Sequence, residues 1–174
     1  MRTYFSICTT EMYQQKYMLF LLENYKDLNL PYPYPVTLSF IASPLLMTKE
    51  SFLCFNDLDE VIGAFSYIYG TGEKQYEDRH VIQMQVVFFR EEYRATRLFL
   101  QALQFMTEHI AYMGDDVREV RFWAPADDRL RRLFGKIADI VSSADSTFGL
   151  LDEYHARFSA WKSYAARFRH QPFF

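Results

Sequence analysis

Val86-Val87-Phe88-Phe89-Arg90-Glu91-Glu92-Tyr93-Arg94 is the stretch on which the fold turns, because an apolar run ends in it and a helical period begins. Upstream, His80 to Phe89 reads as a long strand rich in β-branched and aromatic residues. Downstream, residues Ala95 to Met113 place Leu98, Ala102, Phe105, Met106, His109 and Ile110 on one helical face. Gly114 follows, suited to a left-handed C-terminal cap. A long strand feeding directly into a long helix, with another strand predicted at Glu119 to Ala124, implies a strand–helix–strand unit at the centre of the chain.

Working towards the N-terminus, Ser51 to Phe55 and Val61 to Tyr69 are apolar runs around Asn56-Asp57-Leu58-Asp59-Glu60, whose composition predicts a hairpin turn. A second turn at Gly70 to Arg79 leads into the central strand, so three strands form an antiparallel meander. Gly70-Thr71-Gly72-Glu73-Lys74 superficially suggests a phosphate loop, but it lacks the full spacing and precedes a strand, so it reads as a hairpin tip. Thr3 to Thr9 reads as a first strand. Thr10 then caps a helix with Tyr13, Tyr17, Phe20, Leu21, Tyr25 and Leu28 on one stripe. Pro31-Tyr32-Pro33-Tyr34-Pro35 predicts a break, read as a stiff aromatic loop beside a pocket or, less directly, as a proline-rich docking ligand without charged flanks. A weak helical stretch is expected near Leu45 to Glu50.

Towards the C-terminus, Asp127 can cap a helix with Leu130, Leu133, Phe134 and Ile137 inward, and Ile140 to Ser143 and Tyr154 to Phe158 form a final strand pair. From Tyr154 onward no acidic residue occurs, while Arg157, Lys162, Arg167 and Arg169 alternate with Phe158, Trp161, Tyr164 and Phe168. This basic, aromatic tail, at about residues 159–174, suits a short amphipathic helix from Ser159 to Arg169 that packs its rings on the domain; a dimer contact, an acidic partner or coenzyme phosphates are the alternatives.

A chain of 174 residues, half of them apolar, can bury one sizeable core, so a single domain spanning 1–174 is expected. Aromatic residues make up 18%, more than packing a small core requires, and some should line a pocket or an interface. A net charge of -3 argues against nucleic-acid binding, which needs a basic excess. Cys8 and Cys54 lack metal-ligand spacing and are too few for a disulfide scaffold, which points to a reducing cytoplasm and no metal. The apolar run Tyr17 to Leu22 is too short to cross a bilayer, so no membrane insertion is expected.

The element order, and in particular residues 86–94 running into Ala95 to Met113, resembles the GNAT superfamily of acetyl-coenzyme A-dependent N-acetyltransferases. The quoted stretch is similar to that family's strand, P-x-Y-R turn and pyrophosphate-binding helix. Phe122-Trp123-Ala124-Pro125 followed by Leu133-Phe134 is similar to its later strand and its N-x-x-A-x-x-L-Y helix. The resemblance implies an α/β (α+β) fold with a mixed, mostly antiparallel central sheet of about six or seven strands flanked by about four helices. It implies acetyl-CoA as co-substrate, no metal, and an amine acceptor, a primary amine of a small molecule or peptide placed near the Pro-Tyr loop. A homodimer is a further expectation.

By the same resemblance the backbone of Val87 and Phe89 would hydrogen-bond the coenzyme's pantetheine arm, and the turn Arg94, Ala95, Thr96, Arg97, Leu98 and Phe99 would hold its pyrophosphate at the helix start, where backbone N–H groups and the dipole favour anions. Only Arg94 fits the [QR]-x-x-G-x-[GA] pattern; Arg97 replaces the first glycine and Phe99 the last small residue. Arg97 could pair with a phosphate or stand as a solvated arginine. The strand offers Gln83 and Gln85 where the family often has a glutamate base, and Phe134 stands where it has a tyrosine acid. Substitutes for these proton-transfer groups are His80, Tyr93 and Tyr154; His109 reads as a core histidine. The alternative to an enzyme is an inactive GNAT-like domain that binds a ligand or a protein.

Overall fold

A computed structural model describes residues 2–28, 30, 32–47, 50–94, 97–146, 149–168, 170 and 172–174. In chain order the elements are β1 (Tyr4–Ile7), α1 (Glu11–Glu23), α2 (Tyr25–Leu28), α3 (Tyr34–Met47), β2 (Ser51–Phe55), β3 (Val61–Tyr69), β4 (Val81–Phe89), α4 (Glu91–Arg94), α5 (Leu98–Met113), β5 (Glu119–Pro125), α6 (Asp128–Phe134), β6 (Asp139–Ser146), β7 (Gly149–Arg157) and α7 (Phe158–Ala166). The seven strands form one sheet in the order β1-β2-β3-β4-β5-β7-β6. The ladders β1–β2, β2–β3, β5–β7 and β6–β7 are antiparallel, and β4–β5 is parallel. The mixed, mostly antiparallel sheet expected from the sequence is therefore present. By internal packing the chain divides into two units, residues 1–68 with 84–95, and residues 69–83 with 96–174; β3 and β4 contribute to both.

In the first unit, α1 starts where Thr10 accepts a hydrogen bond from the Tyr13 amide at 3.3 Å, as its composition predicts. The turn between β2 and β3 is held by Asn56, whose side-chain oxygen accepts from the amides of Leu58 (3.0 Å) and Glu60 (2.9 Å), while Asp59 takes a positive φ of 59°. Tyr17, Phe20 and Leu21 of α1, Ile41 of α3, Leu53 and Phe55 of β2, Ala64 of β3 and Val86 and Phe88 of β4 close one core. Its buried phenol is satisfied, Tyr17 donating to Ser66 at 2.7 Å; Tyr67 of β3 stacks on Phe52 of β2 and donates to Glu50 at 3.3 Å. Gly63 has a steric reason, since a Cβ there would stand 2.2 Å from the Phe89 ring. Cys8, just past β1, and Cys54 are free and buried, and burial pushes both thiols up to about 12.

One sequence expectation fails here. The Pro-Tyr segment does not stay a loop: a fourteen-residue helix, α3, begins at Tyr34 and replaces the short helical stretch expected near Leu45. Pro35 falls in the first turn, where an N–H has no intrahelical acceptor to lose. Thr37 fixes the start, its amide bonding the Pro33 carbonyl at 2.9 Å and its hydroxyl the Tyr32 carbonyl at 3.2 Å. Pro44 gives up one internal bond, and its buried ring takes part in the inward face.

In the second unit the tip between β3 and β4 is the hairpin expected, with a short 3-10 turn at Gly72–Lys74 and positive φ at Gly70, Gln75 and Tyr76. Asp78 closes it by accepting from the Thr71 amide and hydroxyl, both at 2.7 Å. The helix after β4 is split: α4 covers Glu91–Arg94 and α5 begins at Leu98, ending on Gly114 at φ 72° as the cap requires. Asp127 caps α6 by accepting from the Leu130 amide at 3.0 Å. The final hairpin is longer than its sequence suggests, pairing Asp139–Ser146 with Gly149–His155. The tail forms α7, whose Phe158, Trp161 and Ala165 are buried, and Gln104 of α5 donates to the carbonyls of Ala165 (3.3 Å) and Phe168 (3.2 Å).

Candidate functional site

On β5, inward and outward positions alternate with period two. Val120, Phe122 and Ala124 are buried, whereas Trp123 is exposed. Phe122 is the hub of an aromatic cluster in the second unit. Tyr154 of β7 lies parallel to it with ring centres 4.8 Å apart and 6° between planes, Phe134 of α6 meets it edge-on at 4.9 Å, and Trp161 of α7 sits at 5.8 Å. Phe134 also meets Tyr154 at 5.3 Å and Phe99, in the first turn of α5, at 6.2 Å. The Tyr154 hydroxyl and the Trp161 ring N–H are both buried and have no hydrogen-bond partner among the described residues. Burial, with the charge of Asp152 adding to it, raises the Tyr154 phenol above its ordinary value, so it keeps its proton at neutral pH.

Beside Tyr154, Asp152 is fully buried. It accepts from Arg131 (Nε 2.8 Å, Nη2 3.1 Å) and from the Ser143 hydroxyl at 2.8 Å. The bidentate Arg131 contact, aided by Ser143 and opposed by burial, holds this carboxylate below its usual range. The outward face of the same strands carries a second network: Arg121 and His155 both reach Glu119, at 2.9 and 3.1 Å, while the other nitrogen of His155 faces Glu153 at 3.0 Å and Ser142 donates to Glu153 at 2.7 Å. Neither network was picked out from the sequence. The signal available was the alternation Glu119-Val120-Arg121-Phe122-Trp123-Ala124, which separates a charged face from an apolar one.

The start of α5 differs from those of α1 and α6. Arg97 occupies the N-cap and makes no side-chain capping bond, and the first turn carries no acidic residue. Arg97 is exposed, Leu98 is buried, and Phe99 is half-buried against Phe134. Ala95 and Thr96 lie outside the described residues. In the first unit, Arg94 is exposed; its Nε donates to the Phe89 carbonyl at 2.7 Å and its guanidinium lies 5.0 Å from the Phe88 ring. Val87 is half-exposed in the middle of β4, while Phe89 is buried over Gly63. Tyr93 accepts from the Asn56 side chain at 3.4 Å, which joins the turn after β4 to the β2–β3 hairpin. His80 stands exposed before β4, beside a recess of about 420 Å³ lined by Lys74, Glu77, Asp78, Glu119 and Arg121. The ladder between β4 and β5 covers Val81–Gln83 opposite Glu119–Arg121, whereas both strands run on beyond it.

Among solved structures, a GNAT-family acetyltransferase from Staphylococcus aureus superposes with a TM-score of 0.63 at 9% identity, over 90% of this chain and 99% of its own. The ribosomal-protein-S5-alanine acetyltransferase of Vibrio fischeri gives 0.64 at 10% identity, over 92% and 96%. The fold is that of the GNAT acetyltransferases. A chimera of the spermidine N-acetyltransferase from Vibrio cholerae gives 0.63 at 8%, over 93% and 99%. No protein-family model matches the sequence, and no curated protein matches it. The GNAT fold thus persists here at identities where side chains share little, which is why each site residue has to be judged on its own contacts.

For a coenzyme's pyrophosphate, two features of the chain fit and one resists. The start of α5 lacks both a side-chain cap and an acid, and Arg94 and Arg97 are exposed. Phe99 adds bulk beside that start, in contact with Phe134. Among the described residues there is no grouping of His, Cys, Asp and Glu suited to a metal ion, and no helix is long and apolar enough to cross a membrane.

Proposed function

We propose that the chain is an acetyl-CoA-dependent N-acyltransferase acting on a primary amine of a small molecule or peptide. The observation that carries this reading is the placement of α5 after the central strand of a GNAT fold, with Arg94 and Arg97 exposed near its start. Bound acetyl-CoA supplies an activated acyl group as a thioester. The backbone of Val87 and Phe89 would hold its pantetheine arm. Its pyrophosphate would lie at the turn formed by Arg94, Ala95, Thr96, Arg97, Leu98 and Phe99, with Arg94 and Arg97 as its cationic partners. Holding both reactants in place is the largest contribution asked of the chain, since orientation can lower a barrier by several kcal/mol, about 7 or more in the best cases.

Tyr154 is the proton donor of this reading. Phe134 lacks the hydroxyl that a leaving thiolate needs, and Tyr154, packed against that ring, carries a buried phenol that is protonated and unpartnered. His80 and Tyr93 are weaker choices as base: His80 lines the recess beside β4, and the Tyr93 oxygen already accepts from Asn56. The chain as one 174-residue domain, working in the cytoplasm without metal or nucleic acid, completes the proposal.

The test is release of free thiol from acetyl-CoA across a panel of primary amines, from polyamines to peptide α-amines. Amine-dependent release that falls at least tenfold in Tyr154→Phe, with KM unchanged, is the expected outcome. Binding of acetyl-CoA with no release on any amine would replace the enzyme by a GNAT-fold binding module.

A further inference from the structure

We propose, resting on the reading of Tyr154 as proton donor, that Asp152 is its positioning residue: through Arg131 it fixes α6 on β7, so that Phe134 clamps the Tyr154 ring against Phe122. Arg131 and Phe134 lie three apart on α6, hence on one side of the helix. Asp152 and Tyr154 lie two apart on β7, hence on one face of the sheet. The two pairs meet one to one. Arg131 reaches Asp152 with Nε and Nη2, at 2.8 and 3.1 Å, and Phe134 meets Tyr154 edge-on at 5.3 Å.

The helix needs such an anchor. None of the seven residues of α6 is buried, whereas α5 and α7 each sink apolar side chains; Leu130, Leu133 and Phe134 are half-buried. Apolar contact alone is non-directional, and a helix this short does not hold itself. A guanidinium fork on two carboxylate oxygens, by contrast, admits one geometry. The carboxylate is fixed in turn. Ser143, its direct partner across β6 and β7, donates to it at 2.8 Å, and Asp152 is fully buried beside Ala124 of β5. Desolvation offsets much of the attraction in a buried ion pair, so two apolar side chains could hold α6 as firmly. What the ion pair adds is a single position.

Tyr154 depends on that position because nothing else aims its hydroxyl. The group is buried and has no hydrogen-bond partner among the described residues, so its direction is set by ring packing. Phe122 faces Tyr154 directly across β5 and β7 and stacks on it, with ring centres 4.8 Å apart. Phe134 stands edge-on to both rings, 4.9 Å from Phe122, and closes the side toward α6. If α6 shifts, the phenol loses that stop, and a donor displaced from its acceptor is slow.

Asp152→Asn, Arg131→Lys and Tyr154→Phe, made in the full chain with circular dichroism as a check on folding, test this. Lysine keeps the charge but not the fork, so Arg131→Lys carries the test if Asp152→Asn does not fold. With acetyl-CoA and the amine of the panel that releases most thiol, each of these two should lower kcat about tenfold with KM unchanged. Added to Tyr154→Phe, neither should cost further activity, because both act through that phenol. In the chain alone, labelled at its tyrosine rings for NMR, the Tyr154 signal is identified by its loss in Tyr154→Phe. It should move in both variants as Phe134 shifts, with the Tyr17 signal unmoved. An undiminished loss in the Tyr154→Phe background, or Tyr17 moving as far as Tyr154, marks a structural role only and overturns the proposal. Tyr154→Phe at full activity, or no release on any amine, removes the donor reading, whereas an unmoved Tyr154 signal removes the anchoring of α6; the two failures are thereby distinct.

Discussion

The core beneath α1 and the cluster around Phe122 are both built from aromatic rings, but their buried tyrosine hydroxyls differ. Beneath α1, Tyr17 has Ser66 as partner and the helix start is closed by Thr10, while the buried Ser51 hydroxyl has no partner among the described residues. Around Phe122, the hydroxyl of Tyr154 and the ring N–H of Trp161 have no partner among the described residues, and the start of α5 lacks a side-chain cap. A buried donor left without an acceptor costs about 1 to 3 kcal/mol, and a missing cap costs about 1 kcal/mol. The buried phenol of the first region is paired; that of the second is not paired among the described residues.

The largest effect that can break this comparison comes from removing the hub. Phe122→Ala should lower the unfolding free energy by about 3 to 5 kcal/mol in a denaturant titration; a loss under about 1 kcal/mol would mean that the cluster is loosely packed and that its orphan donors carry no meaning. Next come the tyrosines. Tyr17→Phe leaves Ser66 unpaired and should cost about 1 to 2 kcal/mol, whereas Tyr154→Phe removes an unpaired hydroxyl and should leave stability unchanged or slightly higher. Equal losses in both would contradict the distinction. The two helix starts provide a smaller contrast: Thr10→Ala should cost about 1 kcal/mol, while Arg97→Ala should be neutral in the unliganded chain.

A pH titration separates the two regions further. Asp152 is held below its usual range by Arg131, so its contribution is complete above the unfolded carboxylate value near pH 4 and is lost as pH falls through its lower folded value. The wild type should therefore lose stability below about pH 4, and Asp152→Asn should flatten that limb while lowering stability at neutral pH. An unchanged acid limb in the variant would assign the loss to other carboxylates.

Much of the fold was legible because it is written in local chemistry. The Asn56 turn, the Thr10 and Asp127 caps and the Gly114 stop each rest on one side chain or one φ angle acting within a few residues, and the period of β4 and α5 needed nothing more distant. The start of α3 is hidden because prolines break helices in their interior but are tolerated in a first turn, and what marks this as a first turn is Thr37 reaching back to Tyr32 and Pro33. The site was legible as a place more than as chemistry. The resemblance located the β4–α5 turn, and the structure adds that the Arg97 side chain does not cap its helix. Arg131 reaching Asp152, or Tyr154 lying on Phe122, depends on pairing β5 with β7 across about thirty residues of chain, and no spacing rule carries that information.

The most direct test of coenzyme binding at this turn is a calorimetric titration of the intact chain with acetyl-CoA, repeated with Arg97→Ala. Saturable binding of one molecule per chain, weakened about tenfold by the substitution, as the loss of one charge-assisted phosphate contact requires, is the expected result. No heat up to high micromolar ligand would contradict coenzyme binding itself, and binding that Arg97→Ala leaves unchanged would move the pyrophosphate away from the start of α5.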